Sequence, residues 1–137
     1  NFCSQIKSKS IKFILIMRNS LQRDSIKNVV CSTKCHPTAD WVYKEVRKLI
    51  PNISLGTVYR NLSQLSDNGL IKTIQDGSVT RYDGNVTAHH HLKCYRCENI
   101  KDINLNDLKL KKIIRSKFDF VPSDIEITVI GTCKKHK

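Results

Sequence analysis

Apolar positions recur at helical spacing through the first half of the chain. From Leu21, the residues Ile26, Val29 and Val30 share one helical face, and Cys31–His36 breaks the pattern. Thr38 is placed to cap a second helix with Val42, Val46, Leu49 and Ile50 on one face, and Pro51-Asn52 ends it. Ser54 caps a third helix in which Leu55, Val58, Leu62 and Leu65 form one stripe, and Gly69 is suited to a left-handed end. The period then changes. Two β-prone runs, 71–74 and 79–82, flank Gln75-Asp-Gly-Ser78 and predict a hairpin. Three helices and a hairpin predict a winged helix–turn–helix, whose third helix enters the DNA major groove.

After Asp83 the pattern changes again. Residues 84–87 read as a linker into a histidine cluster and a C-x-x-C pair, followed by a strand at 100–105, a helix at 108–118 and a strand at 125–130. The fold class is therefore α+β, a winged-helix domain over 17–83 followed by a small α+β dimerisation domain over 84–137. The β-run Glu126–Ile130 is well suited to pair with another chain, which predicts a homodimer.

Charge adds a partner. Lys and Arg number 24 against 12 acids, a net charge of +12, and such a surface favours phosphate backbones. The outward face expected for the third helix carries Thr57, Tyr59, Arg60, Asn61 and Gln64, all able to reach a base edge or a phosphate. Residues 1–16 are basic with a short apolar stretch, Ile11–Ile16, too short to span a bilayer and followed by no small-residue cleavage site. Met17 is the single methionine, so residues 1–16 are expected to be upstream or unstructured sequence.

Cysteine spacing brings in metal chemistry. Cys94-x-x-Cys97 and Cys133-x-x-His136 supply two short ligand pairs for a tetrahedral zinc, a closed and hence structural site in a reducing, cytoplasmic setting. The alternative, a redox pair, normally opens a helix in a βαβ setting that is absent here. A second constellation is Ala88-His89-His90-His91. In an extended segment His89 and His91 point to one face, and two imidazoles need further donors. His36, Asp83 and Asp102 are candidates, and such a mixed N/O site suits Fe(II), Mn(II) or Zn(II). A zinc hydrolase would need an open metal position and a general base, and no His-Glu-x-x-His signature is present. An enzyme with a small-molecule substrate is therefore not expected. A zinc-ribbon interaction module without a DNA role is the third reading.

Gln22-Arg23, His36-Pro-Thr-Ala-Asp40, Ser54–Leu62, Arg81-Tyr-Asp83 and His89–Cys97, in this order, resemble the ferric uptake regulator family of metal-dependent repressors, over about Leu21 to His136. The resemblance implies a homodimer on a palindromic operator in double-stranded DNA. It implies structural zinc at Cys94, Cys97, Cys133 and position 136. It also implies a regulatory metal, Fe(II) or Mn(II), bridging the domains through His36, Asp83, His89, His91 and Asp102. Tyr59 and Arg60 would read bases, Lys72 and Arg81 would act from the wing, and Arg23 would lie near phosphates. Asp at both 83 and 102 resembles the peroxide-sensing branch, in which peroxide oxidises a ligand histidine, by position His36 or His89. The alternative is an iron- or zinc-uptake repressor of the same family. The family's second C-x-x-C is Cys133-Lys-Lys-His136 here, and His90 with Ala88 replaces the pattern of an additional metal site.

Overall fold

The computed structural model describes residues 2–136, and side chains from residue 15 onward. The chain divides into two units, residues 1–86 and 87–137. The first holds α1 (Phe2–Cys31), α2 (Ala39–Leu49), α3 (Leu55–Asp67) and the hairpin β1 (Lys72–Asp76) and β2 (Val79–Asp83). The second holds β3 (His90–Cys94), β4 (Ile100–Ile103), α4 (Leu108–Phe118) and β5 (Thr128–Gly131), then a 3-10 turn at Lys134–His136. The fold is α+β with a winged helix first.

The caps work as their residue types require. Thr38 accepts from the Trp41 N–H and Ser54 from the Thr57 N–H, each satisfying an otherwise unpaired donor of the first turn. Gly69 at φ 67° receives the chain as it leaves α3. The apolar stripes meet in one core, Ile26, Val30, Val42, Val46, Val58, Leu62, Leu65 and Ile71, closed by Tyr82 from the wing. Leu49 and Leu55, expected on the apolar stripes of α2 and α3, are exposed. α1 is the larger departure. Residues 2–16, expected to be upstream or unstructured, are helical and continuous with the helix read from Leu21. No glycine or proline occurs before Pro37, so nothing local stops the helix.

In the second unit β3 is central, antiparallel to β4 and parallel to β5. A parallel neighbour needs a crossover, and the segment containing α4 supplies it. The strands are shorter than expected, β4 stopping at Ile103 and β5 starting at Thr128. The interior is unusual in composition. Its buried residues include Cys94, Ile100, His89, His90 and His91, while α4 buries none. So small an apolar interior stabilises little by itself.

Candidate functional site

Cys94 ends β3, Cys97 follows on the turn into β4, and Cys133 and His136 lie beyond β5. The β3–β5 register, which pairs Cys94 with Gly131, brings the two ligand pairs together. Cys133 Sγ is 3.0 Å from His136 Nδ1 and 3.9 Å from Cys97 Sγ, and Cys94 Sγ is 3.9 Å from His136 Nδ1. All four ligand atoms lie within 4.8 Å of one another. A zinc tetrahedron with Zn–S near 2.3 Å has sulfur–sulfur edges of about 3.8 Å, so the donor set fits that ion. Backbone N–H groups of Cys97 and Cys133 donate to Cys94 and lower its thiol pKa to about 6, favouring the thiolate a metal requires. At Cys97 the Asn99 N–H likewise lowers the thiol pKa, but Cys94 beside it, burial and Cys133 outweigh that and leave it raised.

In the same unit His91 stands directly across from Asp102 in the β3–β4 register. Asp102 Oδ1 is 3.4 Å from His89 Nε2 and 3.6 Å from His91 Nε2, and the two Nε2 atoms are 3.0 Å apart. These separations match the edges expected about an ion with ligand bonds of about 2.1 Å. The His89 Nδ1–H donates to the Thr87 carbonyl at 2.8 Å, which leaves Nε2 as the ligand atom. Glu126 Oε1 lies 3.9 Å from His91 Nδ1. His90 points elsewhere: its Nδ1 accepts from the Ile127 N–H at 3.3 Å, so it ties β3 to the approach to β5.

The first unit carries its own pair. His36 Nε2 is 3.7 Å from Asp83 Oδ2, both residues are buried, and Asp83 Oδ1 accepts from the Asn85 N–H at 2.7 Å. The loop holding His36 is sewn to the wing, with the Tyr82 N–H donating to the Pro37 carbonyl and Thr38 bridging to Arg81.

On the recognition face Tyr59, Arg60 and Gln64 are exposed, and Thr57 is half-buried with its hydroxyl 2.9 Å from Ser54 Oγ. Arg23 on α1 and Arg60 on α3 line one polar groove with Asn19, Asn61 and Gln64. Lys72 is half-buried at the start of the wing. One expectation is corrected. Asn61, expected on the outward face, is only 7% exposed, because its Nδ2 donates to the Thr57 carbonyl one turn back at 2.8 Å. Arg81, expected to reach DNA from the wing, has its Nε on Asp76 Oδ2 at 2.7 Å and its Nη1 on the His36 carbonyl at 3.4 Å. Asp76 was not singled out from sequence. The signal was there: Arg81 pairs with Ile74, so Asp76 is its diagonal same-face neighbour.

The model of the ferric uptake regulator family matches residues 15–130. The chain belongs to the ferric uptake regulator family. Peroxide-responsive repressor PerR of Staphylococcus epidermidis is 32% identical over 123 residues, covering 88% of this chain and 82% of that protein. The crystal structure of the Campylobacter jejuni peroxide stress regulator matches with a TM-score of 0.72 at 27% identity, over 98% of both chains. The Vibrio cholerae ferric uptake regulator matches with a TM-score of 0.68 at 26% identity, over 82% of this chain and 89% of that one. As a member of the ferric uptake regulator family the chain is a metal-dependent regulator and not an enzyme. Among the described residues no helix is long and apolar enough to cross a membrane.

Proposed function

We propose that this chain is a cytoplasmic, dimeric repressor that senses hydrogen peroxide through Fe(II)-dependent oxidation of a ligand histidine. The observation that carries this reading is the His89, His91 and Asp102 group, two imidazoles and one carboxylate converging within 3.6 Å. Such a set is the donor arrangement of non-haem Fe(II) sites that react with oxygen species. His36 and Asp83 supply two further donors, too few to hold an ion alone, and we assign all five to one regulatory metal. Zinc at Cys94, Cys97, Cys133 and His136 staples the second unit, whose interior is otherwise thin.

Bound Fe(II) would supply the reactivity that opens the peroxide O–O bond. Across the net reaction one oxygen is inserted into a C–H bond of His36 or His89 and the other leaves as water. The imidazole is oxidised by two electrons and peroxide is reduced. The chain's own residues set the geometry: Thr87 holds His89 with Nε2 toward His91 and Asp102, and Asp102 is fixed opposite His91 by the strand register. Losing one donor lowers metal affinity, and the DNA-competent population falls with it.

For DNA, Tyr59 and Arg60 with Thr57 and Gln64 read the major groove, while Arg23 and Lys72 meet phosphates. Dimerisation is supported by the apolar residues left uncovered on β5, Val129 and Ile130, the latter 66% exposed. A dimer presents two recognition helices, which calls for a palindromic operator. Selection from a randomised duplex pool with Mn(II)-loaded protein tests this. Enrichment of palindromes supports the reading, and enrichment of unpaired single sites sinks it. Repeating the selected binding with Mn(II), Fe(II) and Zn(II), then adding peroxide to the Fe(II) form, separates peroxide sensing from a metal-uptake repressor.

A further inference from the structure

We infer that Arg81 is a positioning residue for His36, linking the metal ligand to the wing, and not a contact to DNA. The inference rests on the reading of His36 as a ligand of the regulatory metal.

His36 has a left-handed backbone, φ 51°, the first of three such non-glycine residues among those described. A side-chain-bearing residue persists there only where its surroundings hold it. The His36–Thr38 segment is held along its length by β2: Thr38 bridges to Arg81 and the Pro37 carbonyl accepts from the Tyr82 N–H at 2.9 Å. At His36 the Arg81 side chain takes over, donating from Nη1 to the His36 carbonyl at 3.4 Å.

The guanidinium is itself fixed. Its Nε donates to Asp76 Oδ2 at 2.7 Å, with the two side chains 17% and 7% exposed. Asp76 closes β1 at the hairpin turn and Arg81 lies in β2, so this pair clamps the wing. One planar fork thus joins the wing's turn end to the backbone of a ligand. A lysine cannot reproduce that, because its ammonium is a single point donor with no fixed fork. Such outer partners orient a ligand, and their loss commonly lowers metal affinity ten- to a hundredfold.

The opposing assignment, Arg81 on a phosphate, gives the opposite sign for one substitution. Asp76→Asn removes a negative charge from the wing and releases Arg81. A phosphate contact would then strengthen, and DNA binding would tighten at every metal concentration. If Arg81 positions His36, Asp76→Asn weakens the metal site instead.

The test titrates Mn(II) into full-length, zinc-loaded parent, Asp76→Asn, Arg81→Lys and His36→Ala proteins without DNA, and records the Co(II) absorption spectrum of each. Zinc content and unfolding midpoint serve as checks of the fold. DNA binding is then measured at sub-saturating and saturating Mn(II). Expected are about tenfold or greater losses of Mn(II) affinity in Asp76→Asn and Arg81→Lys. Shifted Co(II) bands and a DNA-binding loss recovered at saturating Mn(II) should accompany them. Parental Mn(II) affinity in Asp76→Asn, with weakened affinity in His36→Ala, overturns the inference and leaves the metal assignment standing. Unchanged affinity in His36→Ala itself removes the metal assignment, and the inference falls with it.

Discussion

At the residue scale, the metal chemistry was legible because ligands announce themselves by type and spacing. Cys94, Cys97, Cys133 and His136 converge as their pairing implies. The DNA face was less legible. Asn61 shares its helix with Tyr59 and Arg60, yet its amide turns back to the Thr57 carbonyl. An asparagine's competing bond to backbone leaves no periodic signal. Arg60→Ala should lower operator affinity about tenfold to a hundredfold, while Asn61→Ala should act mainly on stability. Competition binding and urea unfolding separate the two effects.

The zinc ligands give a further pair of expectations. The folded chain lowers the Cys94 pKa from 9.0 to about 6, so it favours the thiolate. That stabilisation is fully present above the unfolded value and is lost as pH falls through about 6. Zinc retained against a fixed chelator should therefore drop between about pH 7 and 5. Flat retention across that range would contradict it. Exchanging the lone imidazole for a softer thiolate, His136→Cys, should slow zinc release. A release rate no slower than that of the parent would count against His136 as the weak ligand.

At the scale of elements, caps and stripes located α2, α3 and the hairpin to within a residue or two, since Thr38, Ser54 and Gly69 act locally. α1 reaches further back than the stripe read from Leu21, because Met17 marks no structural boundary and no glycine or proline interrupts residues 2–31. β5 was read three residues too early, because its partners on β3 are distant in sequence and only register decides where pairing begins. Gly84 likewise carries no local signal of its role. A Cβ on Gly84 would lie 2.6 Å from the Cα of Cys31, at the close approach of α1 to the residue after Asp83. Gly84→Ala should destabilise the first unit by about 1–3 kcal/mol, measured by denaturant unfolding, and displace Asp83 enough to weaken Mn(II) binding. Parental stability would show that this contact yields easily.

At the scale of the whole molecule, the two units depend on metal differently. The winged helix has a conventional apolar core, whereas the second unit buries imidazoles and a thiol. Zinc removal should accordingly unfold the second unit and abolish dimerisation, while regulatory metal should change DNA affinity with zinc retained. The excess of 24 basic over 12 acidic residues predicts a steep salt dependence of that affinity.

Peroxide sensing is decided on the Fe(II)-loaded protein itself. Protein loaded anaerobically with Fe(II) is bound to its selected operator and treated with a small excess of hydrogen peroxide. DNA occupancy and the mass of the peptides containing His36 and His89 are then followed. The expected result is release from DNA with addition of one oxygen to one of those peptides, and no change in the Mn(II)-loaded protein. An Fe(II) complex that stays on DNA with both peptides unmodified would contradict it.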